Sequence, residues 1–332
     1  MNAWLQKQWY SLTFWHFILI PLSWIFLSLS SLRCLAYKAG LFKSWEIAVP
    51  VIVVGNISVG GTGKTPLVIW LAEQLTKAGW QPGIISRGYG AVQSQATTAV
   101  FRHSKPALVG DEPLLLVRRT GCPVWVGPDR VAVAQALLNE HPRCNIIISD
   151  DGLQHYRMHR DFEMAVIDAS RGFGNGWVLP AGPLRERLTR LASVDAVVSN
   201  GDGAYQQGLT MSLESSVFHN VLDPTRTAST QQLMQKKLHA IAGIGNPARF
   251  FQQLSNMGLQ FEPHAFADHH AFQASDLQSL QAEAILMTEK DAVKCADFAQ
   301  PDWWYLPVEA KVDEALLQAI QQKIGNSPAS KL

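Results

Sequence analysis

From Glu46 onward, apolar residues follow two alternating patterns. Short unbroken runs, "IAVPVIVVG" (47–55), "NIIISDDG" (145–152), "FEMAVIDAS" (162–170) and "VDAVVSNG" (194–201), lack polar alternation. They predict strands buried on both faces, as in a parallel sheet. Helical spacing lies between them, over about 64–78 with Gly79 as a stop, over 111–121 and over 129–140. "QPGIISRGYG" (81–90) and "CPVWVG" (122–127) add two further strands. Strands alternating with helices of this length predict a parallel sheet covered on both faces. After about residue 205 the pattern changes. "GLTMSLESSVFHNVLD" (208–223) reads as extended structure, and "KLHAIAGIGNPARFFQQLSNMG" (237–258) restarts a strand–loop–helix unit. Strands in "AILMTEKDAVKCA" (284–296) and "WWYLPVEA" (303–310) follow, and a helix near 312–324 ends the pattern.

The N-terminus departs from this alternation. Residues 11–32, "SLTFWHFILIPLSWIFLSLSSL", contain no Asp, Glu, Lys or Arg. As a helix they reach about 30 Å, the thickness of a bilayer core. Trp4, Trp9, Tyr10 and Trp15 gather at one end, as interfacial aromatics do. Lys7, Arg33, Lys38 and Lys43 all precede the first acidic residue, Glu46, which suits an anionic membrane surface. The run reads as a membrane helix, spanning or lying in one leaflet; a buried core helix is the alternative. A cleaved signal peptide fits poorly, because the run is too long and no A-x-A site follows. The basic residues after it place the rest of the chain in the cytoplasm.

Composition changes this picture little. The chain has 332 residues, 47% hydrophobic and 17% charged, enough for two domains with real cores. A net charge of +1 gives no field that argues for nucleic acid. Cys34, Cys122, Cys144 and Cys295 form no C-x-x-C pair, so disulfides and cysteine zinc sites are poor readings.

The chemistry begins at "SVGGTGKT" (58–65), between a strand and a helix. Gly60, Gly61, Thr62, Gly63, Lys64 and Thr65 fit the end of a phosphate-binding P-loop, with Ser58 in place of the usual first glycine. Small residues let backbone N–H groups turn toward phosphate, Lys64 reaches the β- and γ-phosphates, and Thr65 offers a hydroxyl to Mg²⁺. A second metal-side carboxylate is needed at a neighbouring strand end, and Asp150–Asp151 supply one. His155 could reach the same cleft. Asp111 and Glu112 open a helix, either as ordinary acidic caps or as groups near an acceptor hydroxyl. Arg87, Arg130, Arg185 and Arg187 are candidate phosphate ligands or surface ion-pair partners. Asp268, His269 and His270 have no third ligand spaced for zinc. A histidine orienting a carboxylate across the domain cleft is the sharper reading. "TEKD" (288–291) imitates a guanine-reading motif, with Lys290 one position late, so a regulatory GTPase is the rival; an ATPase partner of a transporter is a third reading.

The ordered set "GNISVGGTGKTP", "SRGYG", "GDEP", "GPDR", "SDDGLQH", "LPAGPLRE", "ADHH" and "TEKDAVK" resembles the tetraacyldisaccharide 4′-kinase (lipid A 4′-kinase) family over nearly the whole chain. The resemblance implies an α/β fold: a P-loop NTPase-type parallel sheet core with an N-terminal membrane helix and a second, smaller α/β domain, joined by a two-stranded link. The expected division is 1–45 for the membrane-associated segment, 46–205 for the kinase core, 206–230 for a strand-rich connector and 231–328 for the smaller domain. It implies transfer of the γ-phosphate of ATP, with Mg²⁺, to the 4′-hydroxyl of tetraacyldisaccharide 1-phosphate at the cytoplasmic face of the inner membrane. No obligate protein partner is implied. By motif, Lys64 and Thr65 serve the phosphates and Mg²⁺, Asp111 is the base with His269 as its partner, and Glu112 and Asp150 are metal-side carboxylates. Tyr89, Arg130, Asp151, His155 and Arg185 fall where nucleotide or lipid headgroup is met.

Overall fold

The computed structural model describes residues 8–89, 96–278 and 280–325. Trp4, Lys7, Gly90 and residues 326–328 lie outside them. In chain order the first strands are β1 (Val51–Gly55), β2 (Pro82–Ser86), β3 (Thr98–Val100), β4 (Val124–Val126), β5 (Ile146–Asp150), β6 (Phe162–Asp168), β7 (Ala196–Asn200) and β8 (Leu209–Glu214). A second set comprises β9 (Phe218–Asn220), β10 (Thr227–Ala228), β11 (Leu238–Ala242), β12 (Phe261–Ala265), β13 (Ala284–Thr288) and β14 (Trp303–Leu306), and β15 (Glu309–Val312) follows.

The larger sheet has the order β15-β8-β7-β6-β1-β5-β2-β4-β3. Its strands run parallel except for β3 and β15, one antiparallel at each edge. Alternate residues of β1 feed opposite layers. Ile52 and Val54 pack with Leu67, Leu71 and Leu75 of the helix Lys64–Lys77. Val51 and Val53 pack with Val133, Ala134 and Leu137 of the helix Arg130–Glu140. Both faces are covered, so the strand is apolar throughout. The second sheet, β10-β9-β14-β13-β11-β12, is parallel from β12 to β14 and likewise lies between two apolar layers.

The chain leaves the first sheet after β8 and returns to it at β15, and these two strands pair antiparallel, Glu309 opposite Glu214. The two crossings between the bodies are thus adjacent. The chain division differs from the sequence expectation at both ends of the smaller body. Its sheet already begins at β9, because Asn220 and His219 pair with Trp304 and Tyr305 of β14. Residues 309–324 rejoin the larger body, where Leu316, Ile320 and Ile324 of the last helix are buried.

The N-terminal apolar helix is His16–Lys38, starting later than the apolar run and continuing through Arg33. Among its described residues only His16 and Ser23 are buried. Both are polar, and both fasten the helix to the core: His16 Nε2 lies 3.2 Å from Ala181 O, and Ser23 Oγ accepts the Ala181 N–H at 2.9 Å. Trp9 Nε1 donates to Pro180 O at 3.0 Å. Phe17, Ile18, Leu22, Trp24, Ile25, Leu29, Leu32 and Leu35 remain exposed. The helix is long and apolar enough to cross a membrane. All four cysteines are free, and Cys122, Cys144 and Cys295 are buried.

Candidate active site

The carboxyl ends of the central strands converge on one cleft of about 1810 Å³, the usual ligand position in a parallel α/β sheet. From β1 the chain enters the glycine loop. Gly60 and Gly63 have φ of +111° and +95°, conformations that side chains rarely adopt. Gly63 also has no room for a side chain, since a Cβ would lie 2.4 Å from Asn200 Nδ2. Asn200, at the end of β7, donates to Thr62 O at 3.0 Å and so fastens the loop from beneath. The Thr62 hydroxyl is buried without a partner among the described residues. Lys64 opens the following helix, which aims its N-terminus at the cleft.

Two neighbouring carboxylates divide at the end of β5. Asp150 is buried and accepts from Ser86 Oγ at 3.2 Å. Burial and the nearby Glu112 push its pKa up to about 7. Asp151 has a φ of 51° and turns the other way. Arg185 Nη1 donates to both its oxygens, at 3.0 and 2.9 Å, and Lys64 Nζ is 3.6 Å away. Burial opposes its charge, but Lys64 and Arg185 outweigh burial and hold its pKa well below the carboxylate range.

Asp111 begins the helix Asp111–Thr120 behind Gly110, whose φ of +91° and close approach to Tyr89 O exclude a side chain. Opposite it, the smaller body supplies His269 and Lys290. His269 Nδ1 lies 3.2 and 3.1 Å from the two Asp111 oxygens. Lys290 Nζ donates to Glu112 at 3.0 Å and lies 3.7 Å from Asp111 and 4.0 Å from Asp268. Burial disfavours the Asp111 charge, but His269 and Lys290 overcome this and lower its pKa to about 2. The Asp111 hydrogen bond raises that of His269. Burial works against the Lys290 charge, yet Glu112, Asp111 and Asp268 raise its pKa beyond the usual range. Tyr89 packs against the His269 ring with centroids 5.1 Å apart.

Lys64, Thr65, Tyr89, Glu112, Asp150, Asp151, Arg185 and His269 all line the cleft, as do Gly60, Gly61, Thr62 and Gly63. Asp111 sits behind its wall. Arg130 and His155 also lie behind the lining. Arg130 is buried, donates to Gly127 O at 2.7 Å, and has its pKa lowered to about 10 by burial, with Asp150 and Asp151 opposing. Burial and Arg130 bring His155 down to about 4. His270 turns from the cleft group to Asp276, 3.0 Å away, so it and His269 do not converge on a metal. The far end of the cleft is lined by Phe26, Leu27, Arg33, Cys34 and Lys38 of the apolar helix.

A family model described as tetraacyldisaccharide-1-P 4′-kinase (LpxK) matches residues 15–325. The chain belongs to this family. The tetraacyldisaccharide 4′-kinase of Methylobacillus flagellatus is 52% identical over 97% of this chain and 96% of its own. That of Dechloromonas aromatica is 48% identical over 98% of both chains. The crystal structure of LpxK from Aquifex aeolicus in complex with ATP has a TM-score of 0.76 at 27% identity, covering 92% of this chain and 98% of that one. The protein is thus a kinase of the lipid A disaccharide 4′-kinase family, with the expected P-loop α/β fold.

Within this kinase cleft the sequence reasoning missed four contributors. Lys290 was hidden in the imitation guanine motif. Asn200 and Asp168 end β7 and β6, and only their position at strand ends marks them. Arg249, from the smaller body, donates to Asn200 Oδ1 at 3.1 Å and approaches Asp168 at 3.9 Å. The GTPase reading fails at Asp291, which is buried and bonded to Gly243 N and Thr288 Oγ1 as a helix anchor.

Proposed function

We propose that the chain transfers the γ-phosphate of ATP to the 4′-hydroxyl of tetraacyldisaccharide 1-phosphate, a step of lipid A biosynthesis, at the cytoplasmic face of the inner membrane. One observation carries this reading: a single cleft connects the P-loop, the Asp111–His269 pair and the exposed apolar helix. Such a cleft suits an acceptor whose sugar reaches the phosphates while its acyl chains stay beside the helix. Arg33, Lys38 and Arg187 in the same lining suit an anionic headgroup.

The loop amides, the helix N-terminus and Lys64 hold the β- and γ-phosphates. The residues present fit Mg²⁺. Thr65, Glu112 and Asp150 offer an oxygen-only donor set, and the buried Asp150 carboxylate lacks a compensating cation strong enough to keep its pKa low. When bound there, the ion would neutralise charge gathering on the transferring phosphoryl group. Asp151 holds Arg185 and Lys64 at the cleft floor, which positions two cations for phosphate oxygens.

A sugar hydroxyl must lose its proton as its oxygen bonds to phosphorus. His269 faces the cleft, whereas Asp111 stands behind it and is held by His269 and Lys290. Asp111 and His269 therefore act together as the base: Asp111 accepts the His269 Nδ1–H, and Nε2 receives the hydroxyl proton. The new O–P bond forms as the bridging bond to the β-phosphate breaks, ADP leaves, and the proton remains on the pair. Transfer is in line, without a phosphoenzyme.

The test is incubation of the purified protein with γ-labelled ATP, Mg²⁺ and tetraacyldisaccharide 1-phosphate. Label in the lipid at the 4′-position supports the reading. Label only in inorganic phosphate, with or without lipid, overturns it.

A further inference from the structure

The smaller body carries a second group of metal-ligating side chains, at the opposite end of its sheet from His269. β11 and β12 pair in parallel with His239 opposite Glu262, and period-two alternation puts Glu262 and His264 on one face of β12. The side chains meet. His239 Nδ1 and His264 Nε2 are 2.9 Å apart, with the rings stacked at 2°. The Glu262 carboxylate lies 3.7 Å from His239 Nε2 and 3.9 Å from His264 Nε2. One ligand atom from each residue falls within 4.8 Å of the others.

A second, independent feature points to a ligand. His239 is only 5% exposed, and its Nε2 is buried without a hydrogen-bond partner among the described residues. A buried polar nitrogen left unmatched costs stability, and such groups are normally satisfied. Here it faces the Glu262 carboxylate at 3.7 Å, while Nδ1 of the same ring meets the second imidazole. Burial, ahead of the opposing effect of Glu262, lowers the His239 pKa and favours the neutral ring that metals bind.

We propose that His239, Glu262 and His264 form a binding site for a divalent transition metal of the zinc type. Two imidazoles and one carboxylate are a borderline donor set that suits Zn²⁺ or Co²⁺ better than Mg²⁺. Tetrahedral bonds of about 2.0–2.2 Å put ligand atoms about 3.3–3.6 Å apart, so small side-chain rotations fit the group to one ion. Glu262 is exposed, which leaves water as the remaining ligand. The ion would tie β12, an edge strand, to β11. β12 runs on through Phe266 toward His269, so the site braces the strand that delivers the catalytic loop. The proposal does not depend on which lipid is the acceptor.

The experiment uses the full chain, stripped with chelator, without nucleotide. Zn²⁺ is titrated calorimetrically and Co²⁺ by its visible ligand-field bands. Expected are one saturable site that survives Asp150→Asn, tetrahedral-type Co²⁺ bands, and a higher melting temperature with Zn²⁺. Glu262→Gln and His264→Gln should each weaken binding at least about 100-fold, since losing even a group that only supports a ligand costs about 10–100-fold, and shrink the melting shift. Both should retain Mg²⁺-supported kinase activity within about 2-fold, which shows that they fold. Wild-type Zn²⁺ affinity in both variants would overturn the proposal, and so would loss of all saturable binding in Asp150→Asn alone.

Discussion

Asp150 and Asp111 are both buried carboxylates at the same cleft, yet their environments push them in opposite directions. Asp150 accepts from Ser86 Oγ, and burial with the like-charged Glu112 outweighs Lys64 and Arg130, so its pKa rises to about 7. Asp111 is equally secluded, but His269 and Lys290 bring its pKa down to about 2. Divergence of this kind marks a division of labour. On the proposed function the Asp150 side takes a metal cation, because Lys64 and Arg130 do not offset its burial. The Asp111 side brings its own cations, both from the smaller body, so it is complete only when the two bodies meet. On the proposed function, phosphate handling is thus built into one sheet, and proton handling is divided between two.

The largest effects should come from removing each charge. Asp111→Asn and Asp150→Asn should each lower kcat at least about 10³-fold, the scale of losing a principal electrostatic or proton-transfer group. Their stabilities should then part. Asp111→Asn leaves buried Lys290 and His269 short of a partner and should cost about 3 kcal/mol in denaturant unfolding. Asp150→Asn removes an unfavourable charge and should add about 2 kcal/mol without Mg²⁺ at pH 8. Equal signs for the two would break the comparison.

The pair should also behave as a unit. His269→Gln is expected to lose about as much kcat as Asp111→Asn, at least about 10³-fold, and the double variant little more than either alone, in a double-mutant kinetic cycle. Independent, multiplying losses would separate the two roles.

The pH dependence sharpens the contrast. At Asp150 the folded protein retains a proton that the unfolded chain releases near pH 4. Stability without Mg²⁺ should therefore fall as pH rises from about 4 to about 7, and the fall should vanish in Asp150→Asn, as read by thermal melts. The proposed mechanism needs neutral His269, whose pKa Asp111 raises, so kcat/KM should climb with pH through that pKa. In Asp111→Asn the residual activity should climb at lower pH. The smallest effect is expected at Arg185, where Arg185→Ala should change KM about 10-fold with kcat altered less.

How far the sequence could foresee this follows from distance along the chain. The loop 60–65 and the pair Asp150–Asp151 were legible because consecutive residues on a strand end carry the chemistry. The larger sheet was legible for the same reason: its strands are buried on both faces and read as apolar runs. Asp111 and His269 stand 158 residues apart, and only the family resemblance joined them. Lys290 could not be recognised, since its partners Asp111 and Glu112 lie in the other body. Nor did "VEAKV" reveal that it would rejoin the first sheet. Its short strand is half-exposed, and its partner β8 lies on the far side of the whole second body in the chain, with Glu309 opposite Glu214. Arg130 and His155 fell at motif positions but lie behind the cleft wall, which spacing alone does not encode.

The most direct measurement is label transfer from γ-labelled ATP to tetraacyldisaccharide 1-phosphate by wild type and Asp111→Asn, with ATP binding measured on the same samples. The predicted result is ATP affinity within about 3-fold of wild type, because the P-loop is untouched, and transfer reduced at least about 10³-fold. Near-normal transfer by Asp111→Asn would contradict the account.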